Sequence, residues 1–178
     1  MIRLARPQGQ KGRTTPLSEY GKELREKQKL KNLYNLKEAQ FRNYVKAILE
    51  KRGKVEDPTI LLLQKLENRL DNVVFRFGFA KTRAQARQLV NHGYFLVNGK
   101  KVNIPSYQLR TGDTINISPQ KAKKNILQNL SLVLKKHEPP SWLELNKEKL
   151  GGKVVGIPSL KEASPPVEIS AIFEFYSR

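Results

Sequence analysis

Residues 66–117, "LENRLDNVVFRFGFAKTRAQARQLVNHGYFLVNGKKVNIPSYQLRTGDTINI", decide how this chain folds. Leu66, Leu70, Val73, Val74 and Phe77 form an apolar stripe at 3.6 residues per turn, which predicts a helix that Gly78 stops. Arg69, Asn72 and Arg76 lie together along one edge of that stripe. Thr82 and Gln85 fit a T-x-x-Q capping box, so the next helix is expected to begin at Thr82. Ala86, Leu89 and Val90 make its apolar side and Gly93 ends it, while Arg83, Arg87 and Asn91 step by four into one polar row. Asn98-Gly99 is the strongest two-residue hairpin turn signal and puts Lys100 and Lys101 at the start of the return strand. A turn at Gly112-Asp113 leads into a strand with Ile115 and Ile117 facing inward. The order helix, helix, hairpin, strand describes a compact unit. It is expected to bring the cations Arg83, Arg87, Lys100 and Lys101 to one surface.

Toward the N-terminus the chain turns helical. Residues 1–16 read as an irregular basic arm broken by Pro7, Gly9, Gly12 and Pro16, and from Ser18 the residues are good helix formers. Asn35 followed by Glu38 resembles a capping box for a second helix. Phe41, Tyr44, Val45, Ile48 and Leu49 give that helix a buried face, and Gly53 is expected to end it. Asp57-Pro58 starts a third, with a cap acceptor and a first-turn proline. Beyond the central unit, residues 121–137 read as another helix. "EPPSWLELN" reads as a proline-broken link, and the segment from Gly151 as irregular and largely extended, ending in "FEFYSR". The fold expected is mainly α with a small α+β module. Residues 1–67 are the arm and a helical domain, residues 68–132 the inserted module with its short antiparallel sheet, and residues 133–178 a helix and tail returning to the helical domain.

Charge narrows the function. The 178 residues hold 34 Lys and Arg against 16 Asp and Glu, a formal net charge of +18. Self-repulsion on that scale is tolerable when a polyanion neutralises it. The charge is also uneven: residues 1–52 and 68–132 each carry a net +9, whereas residues 133–178 carry +1. Two nucleic-acid-facing surfaces and a segment that packs or contacts protein follow. With no cysteine, disulfides and thiol or cysteine–metal chemistry are excluded. No apolar run approaches the roughly 20 residues of a membrane-spanning helix, and the most basic segments lack a bulky apolar face for a membrane surface. His92 and His137 lie in separate segments, with no nucleophile motif near either, and "GQKG" lacks phosphate-loop spacing. No enzyme, cofactor, metal or small-molecule substrate is expected.

The candidate RNA-binding set is Arg69, Arg76, Lys81, Thr82, Arg83, Gln85, Arg87, Asn91, His92, Lys100 and Lys101, with Lys11 and Arg13 in the arm. Phosphate contacts from such cations supply affinity without reading sequence, and helical rows of arginine suit recognition of folded RNA by shape. Arg76 has an alternative pairing with Asp71 or Glu67, and His92 one as a helix-end cap. Tyr20, Tyr44, Tyr94 and Tyr107 are candidates to stack on bases, although Tyr44 sits in an apolar stripe. Trp142 and "FEFYSR" read as packing elements.

The stretch "LENRLDNVVFRFGFAKTRAQARQLVNHGYFLVNGKKVNIPSY" closely resembles the RNA-binding module of the small-subunit ribosomal protein S-four family. "SEYGKELREKQKLKNLYNLKEAQFRNY" is similar to the family's first helical region, and "PSWLELN", "GKVVGIPS" and "EFYSR" to its C-terminal segment. The resemblance implies a primary binder of small-subunit ribosomal RNA that grips the 5′ domain early in assembly. It also implies a place beside ribosomal proteins five and three at the messenger RNA entry channel, with an influence on decoding accuracy. Lys11 and Arg13 are then expected near messenger RNA, on a bacterial cytoplasmic or a plastid ribosome. Lys11 replaces the family's usual histidine in "GQKG". Many members carry a further N-terminal segment, in some with zinc-binding cysteines; here the chain starts almost at the arm, so no zinc site is carried over. Pseudouridine synthases share the module but attach it to a longer catalytic domain. A free-standing RNA chaperone with the module is the alternative, and it leaves the terminal resemblances unexplained.

Overall fold

The computed structural model describes residues 17–51, 57–122, 130–148 and 150–178. Lys11, Arg13 and Gly53 lie outside the described residues.

Three helices open the described chain: α1 (Glu19–Leu33), α2 (Glu38–Leu49) and α3 (Pro58–Glu67). Ser18 caps α1 through its Oγ, and Asp57 caps α3 by accepting from the Thr59 amide at 2.7 Å. Asn35 does not cap α2. It sits just past α1 at φ +51°, the left-handed position that ends helices, and the Leu36 amide reaches back to the Lys31 carbonyl. Lys37 takes the cap position of α2.

The helix expected from Leu66 to Phe77 is two helices. α3 ends at Glu67, and α4 (Leu70–Arg76) starts after a break at Asn68 and Arg69, where Arg69 bridges Gln108. The apolar stripe is nonetheless buried throughout, because Leu66 joins one core and Leu70, Val73, Val74 and Phe77 the other. Gly78 stops α4 at φ +80°. In α5 (Arg83–Asn91), Thr82 Oγ1 accepts from the Gln85 amide at 3.1 Å, while the Gln85 side chain accepts from the Lys81 amide at 2.8 Å. The cap is therefore reciprocal, although the returned bond lands one residue before Thr82.

The sheet is larger than expected. Strands β1 (Phe95–Val97), β2 (Lys100–Lys101) and β3 (Thr114–Ile117) are joined by β4 (Leu143–Asn146) and β5 (Gly151–Val154) in the antiparallel order β2-β1-β3-β5-β4. A side chain at Gly152 on β5 would come within 2.4 Å of the Phe77 ring, so glycine lets the sheet lie directly on α4. Two of these strands come from the segment expected to leave the module at residue 132. Trp142, Leu143 and Val154 sit in the module core, so the module takes residues up to Val154. The helix expected over 121–137 is represented by α6 (Pro119–Ala122) and α7 (Leu130–Lys136) at its two ends, with residues 123–129 outside the described set.

The last part of the chain leaves the sheet through α8 (Leu160–Ala163) and closes with α9 (Ile169–Ser177). "FEFYSR" is thus largely helical, not extended. Ile169, Ile172 and Phe173 complete the helical domain's core with Leu30, Phe41 and Ile48.

Candidate nucleic-acid interface

The central arginines meet at the seam between the two cores. Arg69 is 1% exposed: its Nε and Nη2 donate to Asp71 at 2.9 and 2.7 Å, and Nη1 donates to the Tyr44 hydroxyl at 2.8 Å. Burial alone would lower its pKa, but the Asp71 bonds outweigh it and raise the group overall. Arg69 is therefore an interior, fully paired cation, which corrects its place among the solvent-facing candidates. The periodicity put it on the edge of a continuous helix, whereas the break between α3 and α4 turns it inward.

Arg76 takes the alternative pairing with Glu67, donating from Nε and Nη2 at 3.0 and 2.7 Å. Glu67 is fully buried at the end of α3 and also receives the Tyr34 hydroxyl and Asn72 Nδ2. Burial, with the adjacent Glu67 charge, drives the Tyr34 phenol well above its ordinary range.

The row Arg83–Arg87–Asn91 is divided. Arg83 donates from Nε to Asn72 Oδ1 at 2.8 Å, and its guanidinium lies 4.9 Å from the Tyr34 ring centre and 4.5 Å from that of Phe75. Arg87 crosses to the helical domain, donating to the Asn35 carbonyl, and sits 3.4 Å from Asp71. Asn91 and His92 remain exposed at the end of α5, where His92 is the cap residue.

At the start of the same helix Lys81 and Thr82 are exposed, and Gln85 is half-buried in its cap bond. Lys100 and Lys101 are exposed on the sheet's edge strand. Lys101 folds back over the end of α5, where a side chain at Gly93 would come within 2.2 Å of its Cε. The exposed cations thus bracket α5 at both ends, and Arg83 and Arg87 lie between them, half-buried. The four cations do not form one uniformly exposed surface.

Sequence reasoning named Glu67 as a partner for Arg76 but missed Tyr34, which lies 33 residues from Glu67 and joins it only through tertiary contact. It also missed Lys121, whose ammonium stacks 5.2 Å from the Tyr94 ring. Tyr20 and Tyr107 are exposed, Tyr94 half-buried and Trp142 buried.

A separate surface between α1 and α9 is rich in carboxylates, with Lys22 among them. Glu19, Glu23 and Glu26 of α1 line a shallow cavity with Glu168 and with Glu174 of α9. Arg178 closes one end of it, donating to Glu23 at 2.6 Å. Among the described residues no cluster of His, Asp and Glu is arranged to hold a metal ion, and no helix is long and apolar enough to cross a membrane.

Two family models match the chain. Residues 68–115 match the S4 domain family, and residues 2–67 match the Ribosomal protein S4/S9 N-terminal domain family. The chain is 48% identical over 177 residues to the small ribosomal subunit protein uS4 of Chloroflexus aurantiacus, covering 97% of this chain and 84% of that protein. It is 51% identical over 179 residues to the protein of the same name from a Sulfurihydrogenibium species, with 96% and 84% covered. The Thermotoga maritima protein of that name is 44% identical over 172 residues, with 96% and 81% covered.

Proposed function

The chain belongs to the ribosomal protein S4 family of the small subunit, and from that premise we propose how its surfaces divide the work. It is a structural, ribosomal-RNA-binding constituent of the small subunit and not an enzyme. A free-standing chaperone carrying only the shared module would leave residues 2–67 without a counterpart, and the family relation covers them.

The observation that carries the reading is the placement of exposed cations at both ends of α5, within residues 68–132, which carry a net charge of +9. Lys81, Lys100 and Lys101 are our direct phosphate contacts, with Thr82, Gln85, Asn91 and His92 beside them. Arg76 and Arg87 serve mainly to join the two domains, and Arg69 is wholly interior. For the arm, Lys11 and Arg13 are proposed to touch RNA near messenger RNA entry.

The acidic α1–α9 face repels phosphate and suits a basic protein. We assign it to the neighbouring small-subunit proteins, five or three. With the 5′ domain gripped by the module and this face against protein, the chain would nucleate assembly and influence accuracy. The bacterial relatives favour a bacterial cytoplasmic ribosome, and a plastid ribosome would demand the same chemistry.

The test is filter binding of the full chain to small-subunit ribosomal RNA across several salt concentrations. Lys100→Ala with Lys101→Ala is expected to make the salt-dependence slope shallower by about one to two units, at 0.7–0.9 per lost phosphate contact. The melting temperature should not move, since both side chains are exposed. An unchanged slope with weakened thermal stability would make these lysines structural.

A further inference from the structure

We propose that Asn72, a side chain too deeply buried to touch RNA, acts with Glu67 to set Arg83 as a two-pronged receptor for one RNA phosphate. The proposal rests on the ribosomal-RNA-binding reading above and names residues outside the surface that binds.

The chain of contacts starts at Glu67. Asn72 is 2% exposed, and its Nδ2 donates both to the Glu67 carboxylate at 2.7 Å and to the Glu67 carbonyl at 3.0 Å. With both amide hydrogens committed, only Oδ1 can face outward, and it accepts from Arg83 Nε at 2.8 Å. The Tyr34 ring, one wall of the Arg83 site, is pinned by its own hydroxyl bond to Glu67. Phe75 is the other wall. One buried carboxylate therefore fixes both the acceptor at Nε and one face of the guanidinium.

What is left over points to a ligand. Arg69, Arg76 and Arg87 each lie within 4 Å of a carboxylate oxygen, at 2.7, 2.7 and 3.4 Å. Among the described residues Arg83 has no such ion pair, and its two Nη groups have no hydrogen-bond partner. Burial lowers its pKa, the direction expected of a cation removed from water without full compensation. A planar guanidinium tethered at Nε, with both terminal nitrogens unused, matches the bidentate geometry of a phosphate. Lys81 is exposed two residues away at the positive end of α5 and suits the same anion.

A double-mutant cycle on the full chain, read by filter binding to small-subunit ribosomal RNA at several salt concentrations, tests the relay. Arg83→Ala is expected to weaken binding about ten- to hundredfold, the scale of hydrogen bonds to charged groups, and to lower the salt slope by about 0.7–0.9. Asn72→Ala should weaken binding in the same direction and cost nothing further once Arg83 is alanine. Additive losses would overturn the proposal, because Asn72 would then act through general stability. Should Asn72→Ala fail to fold, Arg83→Lys decides: it keeps the charge but loses the fork, so its binding should fall close to that of Arg83→Ala. Near-native binding by the lysine variant would mean that only a point charge is needed. Nuclear magnetic resonance of the Arg83 Nε–H separates this idea from the RNA reading, since its slow exchange should disappear in Asn72→Ala whether or not RNA binds. If the native chain shows no salt-dependent RNA binding, the RNA reading falls, and a fast-exchanging Nε–H in the native chain would remove the relay itself.

Discussion

At the scale of single residues, an arginine's partner decides its role more than its place in a periodic row. Arg69 and Arg87 share Asp71, Arg76 pairs with Glu67, and Arg69 is also fully enclosed. Removing one partner from such a pair leaves the other charge buried and uncompensated, which costs far more than the intact pair contributes. Asp71→Ala is therefore expected to destabilise the fold by about 3–5 kcal/mol in urea unfolding. A loss under about 1 kcal/mol would show that water reaches Arg69. Asp71 also receives the Asn72 amide at 2.9 Å, so the same variant should loosen the start of α4. The sequence offered Glu67 as a partner for Arg76, but the pairing of Arg69 and Arg87 with Asp71 is not visible in the spacing of Arg69, Asn72 and Arg76, because the spacing assumes one helix where the chain makes two.

At the scale of elements, α1, α2 and α9 are tied by one carboxylate. Glu38, the first residue of α2, receives Lys27 at 2.7 Å, Lys31 at 3.1 Å and the Tyr176 hydroxyl at 2.8 Å. Lys27 is itself nearly buried, with its ammonium 4.5 Å from the Phe175 ring centre. Burial would raise the Glu38 carboxyl, but the bonds from Lys27, Tyr176 and Lys31 prevail and bring its pKa to about 2 from an ordinary 4.5. A carboxyl depressed by folding contributes stability that is complete above the unfolded value and is lost as pH falls toward the folded one. The native chain should thus lose this contribution between pH 4.5 and 2, and Glu38→Gln should remove that part of the pH dependence. The size is about 1 kcal/mol or less, because the side chain is 45% exposed and screened. Thermal melts of both proteins across that window check it, and identical pH profiles would contradict the assignment. The caps at Asp57 and Thr82 were legible in the sequence, since each is a local bond between a side chain and the next turn. The cap of α2 was misread because Asn is favoured both at helix starts and in the left-handed position after a helix, and here the second use prevails.

At the scale of the whole molecule, α9 closes the helical domain from the far end of the chain. Ile169, Ile172 and Phe173 are buried with Leu30, Phe41 and Leu62, so the helical domain's core is incomplete without the segment from Pro165 to Arg178. Truncation before Pro165 is expected to abolish slow hydrogen exchange in α1 and α2 while the module, with its separate core, keeps its protection. Retained protection in α1 would show that α1, α2 and α3 suffice alone. The sequence by itself determined α5, the Asn98-Gly99 hairpin and the third strand, because turns, caps and period-3.6 stripes are local, and it set the net charge of the two basic segments. The near-neutral charge of residues 133–178 also marked a segment unlike the two basic ones. Only the tertiary structure decided that β4 and β5 extend the sheet, since β5 joins β3 through distant partners such as Thr114 and Lys153, β4 pairs only with β5, and short strands carry weak signals. It alone, too, turned the arginine row into a seam. Which guanidinium groups find a carboxylate depends on how two cores meet, and no spacing within one helix encodes that meeting.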